Sequence, residues 1–328
     1  MDESSVVEQM DWRNFGLDLV RVTETAALAA GRWVGSGNYE AAHRSATMAM
    51  KAALDTLDIK GHIVLGEDSP LGDHSPLCSH QHVGTGDGPE VDVIVDPIDG
   101  TKLLIRGHPG AVSVVGVAPR GTMWSPVSAL YMDKIVVDRE AAEALVPECM
   151  DAPAAWTLAL IARVKKKSVQ DITVTVLDRP RHADLIREIR DAGARILLRQ
   201  EGDAEGALVA AIPGTGADLL MGIGGAAQGV IAACAVKALG GKMLARLAPQ
   251  SEAEKSDIRA AGLDQKLIMT SDEIVRSDRL YFSATGITDS KLLNAISFHG
   301  MFAETHSLLL RAETGTRRFI YAEHAARV

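Results

Sequence analysis

Val91-Asp92-Val93-Ile94-Val95-Asp96-Pro97-Ile98-Asp99-Gly100-Thr101 is the stretch from which the rest of the chain can be placed. Its first half is rich in β-branched residues and predicts a buried strand. Its second half sets two carboxylates around Pro97, which removes a backbone donor, and Gly100, which permits a tight bend. Such a turn at a strand end can aim both carboxylates and a carbonyl at one point, the oxygen-rich set that Mg²⁺ or Mn²⁺ prefers. An ion held there activates water and neutralises phosphate oxygens, and Thr101 is placed to orient that water. The competing reading is a plain β-turn that uses Asp, Pro and Gly for local geometry.

A second short strand, Gly61-His62-Ile63-Val64-Leu65-Gly66, delivers Glu67 at its end. If it neighbours the first strand, Glu67, Asp96 and Asp99 converge and repel one another unless a cation sits among them. Otherwise they are three solvated loop acids on an acidic protein. The segment Ser69 to Glu90 reads as a loop in which Cys78, His80 and His82 lie close together, with His74 nearby. Thiolate and imidazole are zinc ligands, but no second cysteine pair or known ligand frame accompanies them, so a structural zinc is the weaker reading.

The chain has 328 residues, enough for two domains or one large two-part unit. Aromatics are only 4% of it, so the core must rest on Ala, Val, Leu and Ile. A formal charge of −9, without a Lys/Arg stripe interleaved with aromatics, argues against a nucleic-acid partner. Three widely spaced cysteines fit a reducing compartment better than a disulfide framework. The acidic start Met1-Asp2-Glu3-Ser4-Ser5 is unlike a signal peptide, and no apolar run reaches spanning length, so a cytoplasmic protein without a membrane partner is expected.

Apolar spacing predicts helices over residues 12–34 and about 40–57, followed by strands from Ala111 to Val117 and from Ala129 to Val137. Residues 138–170 give no clear pattern. From about 171 strands alternate with helices: strands at Ile172–Leu177, Arg195–Leu198 and Leu219–Gly222, helices over 182–192, 205–212 and 226–239. This alternation predicts a parallel, doubly wound sheet in the second half. Strands return at Leu280–Ala284, Ser307–Leu310 and Phe319–Tyr321. The expected fold class is therefore α/β, with an α+β half over 1–160 that carries the candidate metal turn and an α/β half over 161–328.

Two constellations mark the second half. In Leu177-Asp178-Arg179-Pro180-Arg181-His182 two arginines flank a proline where a strand gives way to a helix, which suits phosphate as well as it suits a Pro-initiated helix with exposed arginines. The run Gly222-Ile223-Gly224-Gly225-Ala226-Ala227-Gln228-Gly229 looks like a dinucleotide-binding loop, yet no acidic ribose anchor follows in Lys242-Met243-Leu244-Ala245-Arg246. Close approach to another ligand, or tight packing, explains its glycines better.

Taken in order, these residues resemble the class II fructose-1,6-bisphosphatases, part of the lithium-sensitive sugar phosphatase superfamily. The resemblance runs from Arg21-Val22-Thr23-Glu24-Thr25-Ala26-Ala27 to Ser283-Ala284-Thr285-Gly286-Ile287-Thr288. Between them it takes in Gly31-Arg32-Trp33-Val34-Gly35, the Asp96–Thr101 turn, Tyr131-Met132-Asp133-Lys134 and Arg179-Pro180-Arg181-His182. It implies a layered α/β/α/β/α sandwich, a sugar phosphate as partner, Mg²⁺ or Mn²⁺ as cofactor and a homo-oligomer. By the same resemblance Glu67, Asp96 and Asp99 are metal ligands, and Thr101, with Asp96, serves the attacking water. Asp99, Gly100, Thr101, Tyr131, Arg179, Arg181, Glu201, Asp203 and Gly225 match positions that hold the sugar phosphate, Glu201 standing where the family usually has Asp.

Three regions depart from the family pattern. Its Gly-Asp-Lys followed by a metal-binding Asp reads Gly37-Asn38-Tyr39 and then His43. Its Pro-Glu-Gly reads Ala227-Gln228-Gly229, and its Gly-Glu-Gly-Glu reads Gly66-Glu67-Asp68-Ser69. His43 and Gln228 thus fall at metal-ligand positions but carry no negative charge, which lowers the expected affinity for divalent ions. The implied activity is metal-dependent hydrolysis of fructose 1,6-bisphosphate or a related sugar phosphate. A catalytically impaired paralogue that binds sugar phosphates is the alternative, and a nucleotide-binding protein is the third reading.

Overall fold

The computed structural model describes residues 15–67, 75–126 and 129–325. The readings placed on Asp68, Ser69 and His74, and the first residues of the helix expected from 12, lie outside that range. Two helices open the described chain, α1 (Phe15–Gly31) and α2 (Tyr39–Leu54). Asn38 caps α2, its side-chain oxygen accepting from the Ala41 amide at 3.1 Å. Leu17, expected on the buried stripe of α1, is 53% exposed, whereas Leu19, Val20, Val22 and Ala26 are buried.

Next come β1 (Lys60–Leu65), β2 (His82–Val83), β3 (Glu90–Asp99), α3 (Thr101–Ile105), β4 (Val112–Pro119) and β5 (Tyr131–Val137). The stretch that resisted reading holds short 3₁₀ turns and α4 (Ala154–Val164). Its Leu158 and Ile161 are buried, but the preceding turns break the helical period that would have revealed them. The alternating region follows as β6 (Thr173–Leu177), α5 (Ala183–Asp191), β7 (Arg195–Arg199), α6 (Asp203–Ala211), β8 (Leu219–Gly225), α7 (Ala226–Ala238) and β9 (Lys242–Leu247). The chain finishes with α8 (Glu252–Ala260), β10 (Met269–Thr270), α9 (Ser271–Ile274), β11 (Tyr281–Gly286), β12 (Ser297–His299), β13 (Phe302–Arg311) and β14 (Thr316–Ala325).

Two mixed sheets result. The first runs β12-β13-β11-β4-β3-β1-β2, with β14 on the outer side of β13; the second runs β10-β9-β5-β8-β6-β7. Helices α1 and α2 cover one face of the first sheet, α6 and α7 fill the space between the sheets, and α4 and α5 cover the far face of the second. The expected α/β/α/β/α layering is therefore present.

Two expectations need correction. Only β6, β7 and β8 form a parallel block; β5 and β9 run antiparallel to their neighbours, so the second sheet is mixed rather than doubly wound and parallel. The reason is topological: β5, from the first half of the chain, inserts beside β8. Likewise β11 to β14 return to the first sheet, so a boundary near residue 160 does not separate the two sheets. The second correction concerns Ile223–Gly225, which extend strand β8 beyond Gly222 and are not a loop.

Candidate active site

Parallel strands bring their C-terminal ends to the same edge, and this decides the site. β1 and β3 are parallel neighbours, so Glu67, just past one, lies beside Asp96 in the other. Between Asp96 and Asp99 the pairing of β3 with β4 shifts by one residue, a bulge at Pro97-Ile98 that re-aims both carboxylates. Gly100, at φ +96°, then turns the chain into α3. From the second sheet, β6 delivers Arg179 and Arg181, β7 delivers Glu201 and Asp203, and β8 delivers Gly225, with Tyr131 opposite Gly225 across the ladder. All thirteen residues expected at the site line one cavity of about 340 Å³.

On the first-sheet wall Glu67 and Asp96 each meet a nitrogen-bearing side chain, and the contact with Glu67 raises the pKa of His43. His43 Nε2 and Glu67 Oε2 are 2.5 Å apart. Gln228, in the first turn of α7, donates from Nε2 to Asp96 Oδ2 at 2.9 Å, and the Ile98 amide donates to Asp96 Oδ1 at 3.1 Å. Burial, with Glu67 and Asp99 nearby, holds the Asp96 carboxyl well above the usual carboxylate range. Asp99 is also buried and its carboxyl is pushed up to about 7, chiefly by desolvation. It accepts the Glu205 amide at 3.0 Å and so caps α6 from the other sheet. Thr101 donates to the Ile98 carbonyl at 3.2 Å and is hydrogen-bonded to the Tyr39 hydroxyl. Tyr39 stacks on His43, one helical turn along α2, with ring centroids 6.0 Å apart.

The second-sheet wall is cationic at its rim. Arg181 donates to the Ile223 carbonyl from Nε (3.1 Å) and Nη2 (2.7 Å), and its guanidinium lies over the Tyr131 ring at 5.1 Å. His182 ties this loop to β8: it bonds the Leu177 carbonyl through Nδ1 at 2.7 Å and accepts the Ile223 amide at Nε2. Burial lowers its pKa, which suits the neutral imidazole that these bonds require. Glu201 joins the walls, accepting the Lys102 amide at 2.9 Å and facing its ammonium at 3.3 Å.

Among the described residues no three carboxylate, imidazole or thiolate groups close round one point. Glu67 and Asp96 remain as two facing oxygen donors whose repulsion a cation would relieve. Mg²⁺ characteristically takes one or two carboxylates and completes its shell with water and substrate phosphate, so the residues fit one such ion. The zinc reading of the Cys78 loop finds no support there: the Cys78 thiol lies toward the Glu67 carbonyl, while His80 packs against His62.

Sequence reasoning missed Lys134, Arg199, Glu205 and His182 as parts of the site. Lys134 carried the one available signal, a charged residue on the same strand face as Met132 and Val136. Such a residue is rarely buried unless paired.

The family described as bacterial fructose-1,6-bisphosphatase, glpX-encoded, matches residues 13–324. The chain belongs to it. Among curated members of this phosphatase family, the class 2 fructose-1,6-bisphosphatase of Haemophilus influenzae is 38% identical over 326 residues, covering 95% of this chain and 96% of its own. The D-fructose 1,6-bisphosphatase class 2/sedoheptulose 1,7-bisphosphatase of Synechococcus sp. strain JA-3-3Ab is 34% identical over 333 residues, 94% and 95% of the two chains. Both family members are named as phosphatases, which gives the binding-only alternative no support. No described helix is long and apolar enough to cross a membrane.

Proposed function

We propose that the chain is a divalent-metal-dependent sugar-phosphate phosphatase that hydrolyses fructose 1,6-bisphosphate to fructose 6-phosphate and phosphate, or acts on a related sugar phosphate. The observation that carries this is one cavity with buried carboxylates and a hydroxyl on one wall and guanidinium groups on the other. Carboxylates alone would repel a phosphate ester, and arginines alone would bind one without activating water.

Glu67 and Asp96 would hold the ion, with Gln228 and His43 beside it; when bound it neutralises phosphate charge and makes water more acidic. Because Thr101 already donates to Ile98, its oxygen is left as an acceptor and can take a hydrogen bond from the attacking water, orienting it towards phosphorus. Tyr39 restrains that hydroxyl. Arg179 and Arg181 suit the second phosphate, and Asp99, Gly100, Tyr131, Glu201, Asp203 and Gly225 frame the sugar. The ester P–O bond breaks as the water oxygen bonds to phosphorus, and the sugar oxygen leaves with a proton. A cytoplasmic homo-oligomer using Mg²⁺ or Mn²⁺ completes the proposal.

Phosphate release from fructose 1,6-bisphosphate and a panel of sugar phosphates, with Mg²⁺ or Mn²⁺ supplied, tests it. Turnover of a sugar phosphate with either metal is expected. Retained sugar-phosphate binding without turnover under any metal would overturn it.

A further inference from the structure

Lys134 is fully buried in β5, on the same strand face as the buried Met132 and Val136, and its ammonium lies 2.6 Å from Asp203 Oδ2. Desolvating an ammonium is costly unless a close counter-ion and hydrogen bonds offset it, so Lys134 is where it is for Asp203. Asp203 is the first residue of α6, follows Gly202 at φ +84°, and lines the cavity. The pair sits directly over Gly224: a Cβ there would lie 1.8 Å from Asp203 Oδ2 and 2.5 Å from Lys134 Nζ. The neighbouring Gly222, at φ +124°, is covered in the same way by the His182 ring. The glycine run at the end of β8 thus makes room for polar side chains of the protein itself.

A bare carboxylate on the sugar wall would repel a phosphorylated ligand. Neutralised from below by a lysine that solvent and ligand cannot reach, it becomes an acceptor for hydroxyl groups. We propose that Lys134 is a positioning residue that fixes Asp203 to accept hydrogen bonds from the sugar's hydroxyls, and so sets the preference for polyhydroxylated phosphate esters over simple ones. The inference rests on the sugar-phosphate reading above and deepens it.

Steady-state kinetics of Lys134→Met should show KM for fructose 1,6-bisphosphate raised by about tenfold or more with kcat within about threefold. For p-nitrophenyl phosphate, which has no hydroxyl to read, both constants should stay within about threefold of wild type. Calorimetric binding of fructose 6-phosphate should weaken in step with the KM change. If Lys134→Met fails to fold, Lys134→Gln, which keeps a donor for Asp203 but removes the charge, carries the measurement and should show a selective rise in the same direction. An unchanged KM for the sugar ester in whichever variant folds, or an equal rise for both esters, overturns the inference. Wild-type protein that hydrolyses no sugar phosphate would instead overturn the phosphatase reading, and the fructose 6-phosphate affinities would then decide the role of Lys134 by themselves.

Discussion

The two walls of the cavity handle buried carboxylates in opposite ways. On the first sheet, Asp96 is met by the neutral amide of Gln228, which satisfies its oxygen without cancelling its charge, while Glu67 is paired with His43, whose pKa that contact raises. On the second sheet, Asp203 is met by the buried ammonium of Lys134, and Glu205 by the Arg199 guanidinium. The first wall therefore keeps negative charge that a divalent ion can take up. The second arrives already neutralised and presents geometry. A buried carboxylate is thus not one kind of signal: its partner decides whether it recruits an ion or reads a hydroxyl.

The largest test of this contrast is Asp96→Asn. It removes the charge on the metal-facing wall while keeping a group that can still accept from Ile98. Any phosphatase activity should fall by on the order of 10²–10³-fold, measured as phosphate release. Retained activity would show that the first wall does not hold the ion.

Restoring charge should act in the other direction. The double change His43→Asp with Gln228→Glu places carboxylates at both positions, and divalent affinity by calorimetry should rise by at least about tenfold. An unchanged titration would mean that the imidazole and the amide do not weaken the site.

The smallest expected effect concerns stability. Asp99 has a folded-state pKa of about 7, above its ordinary value, so the folded state holds its proton longer than the unfolded chain does. Its contribution therefore falls as pH rises from the ordinary carboxylate range toward 7 and is level above that. In metal-free protein Asp99→Asn should remove this penalty, since the amide oxygen can still accept from Glu205. Its stability should exceed that of wild type by on the order of 2 kcal/mol at pH 8, and the gain should vanish below pH 4. Thermal melts at the two pH values measure it; an equal difference at both would contradict a buried, strained carboxylate.

Much of the frame was legible in the chain itself. Val91–Val95 announced a strand by its β-branched run, and Pro97 and Gly100 announced the bend. The alternation after residue 171 announced the helices between the sheets, because a two-residue or 3.6-residue period survives in local sequence. α4 was not legible, since the 3₁₀ turns before it interrupt that period. At Gly222–Gly225 the chain announced close approach or tight packing, which the structure shows, but glycine does not say what approaches.

By itself the sequence determined which residues could bear chemistry: the Asp96–Thr101 turn, Glu67, the Arg179/Arg181 pair, and Tyr39, His43 and Gln228. Only the tertiary structure decided their partners. That β1 lies parallel to β3 puts Glu67 beside Asp96, and that β5 crosses into the second sheet puts Lys134 beneath Asp203. Strand order is a long-range choice, made by packing two sheets around α6 and α7, and no local pattern encodes it.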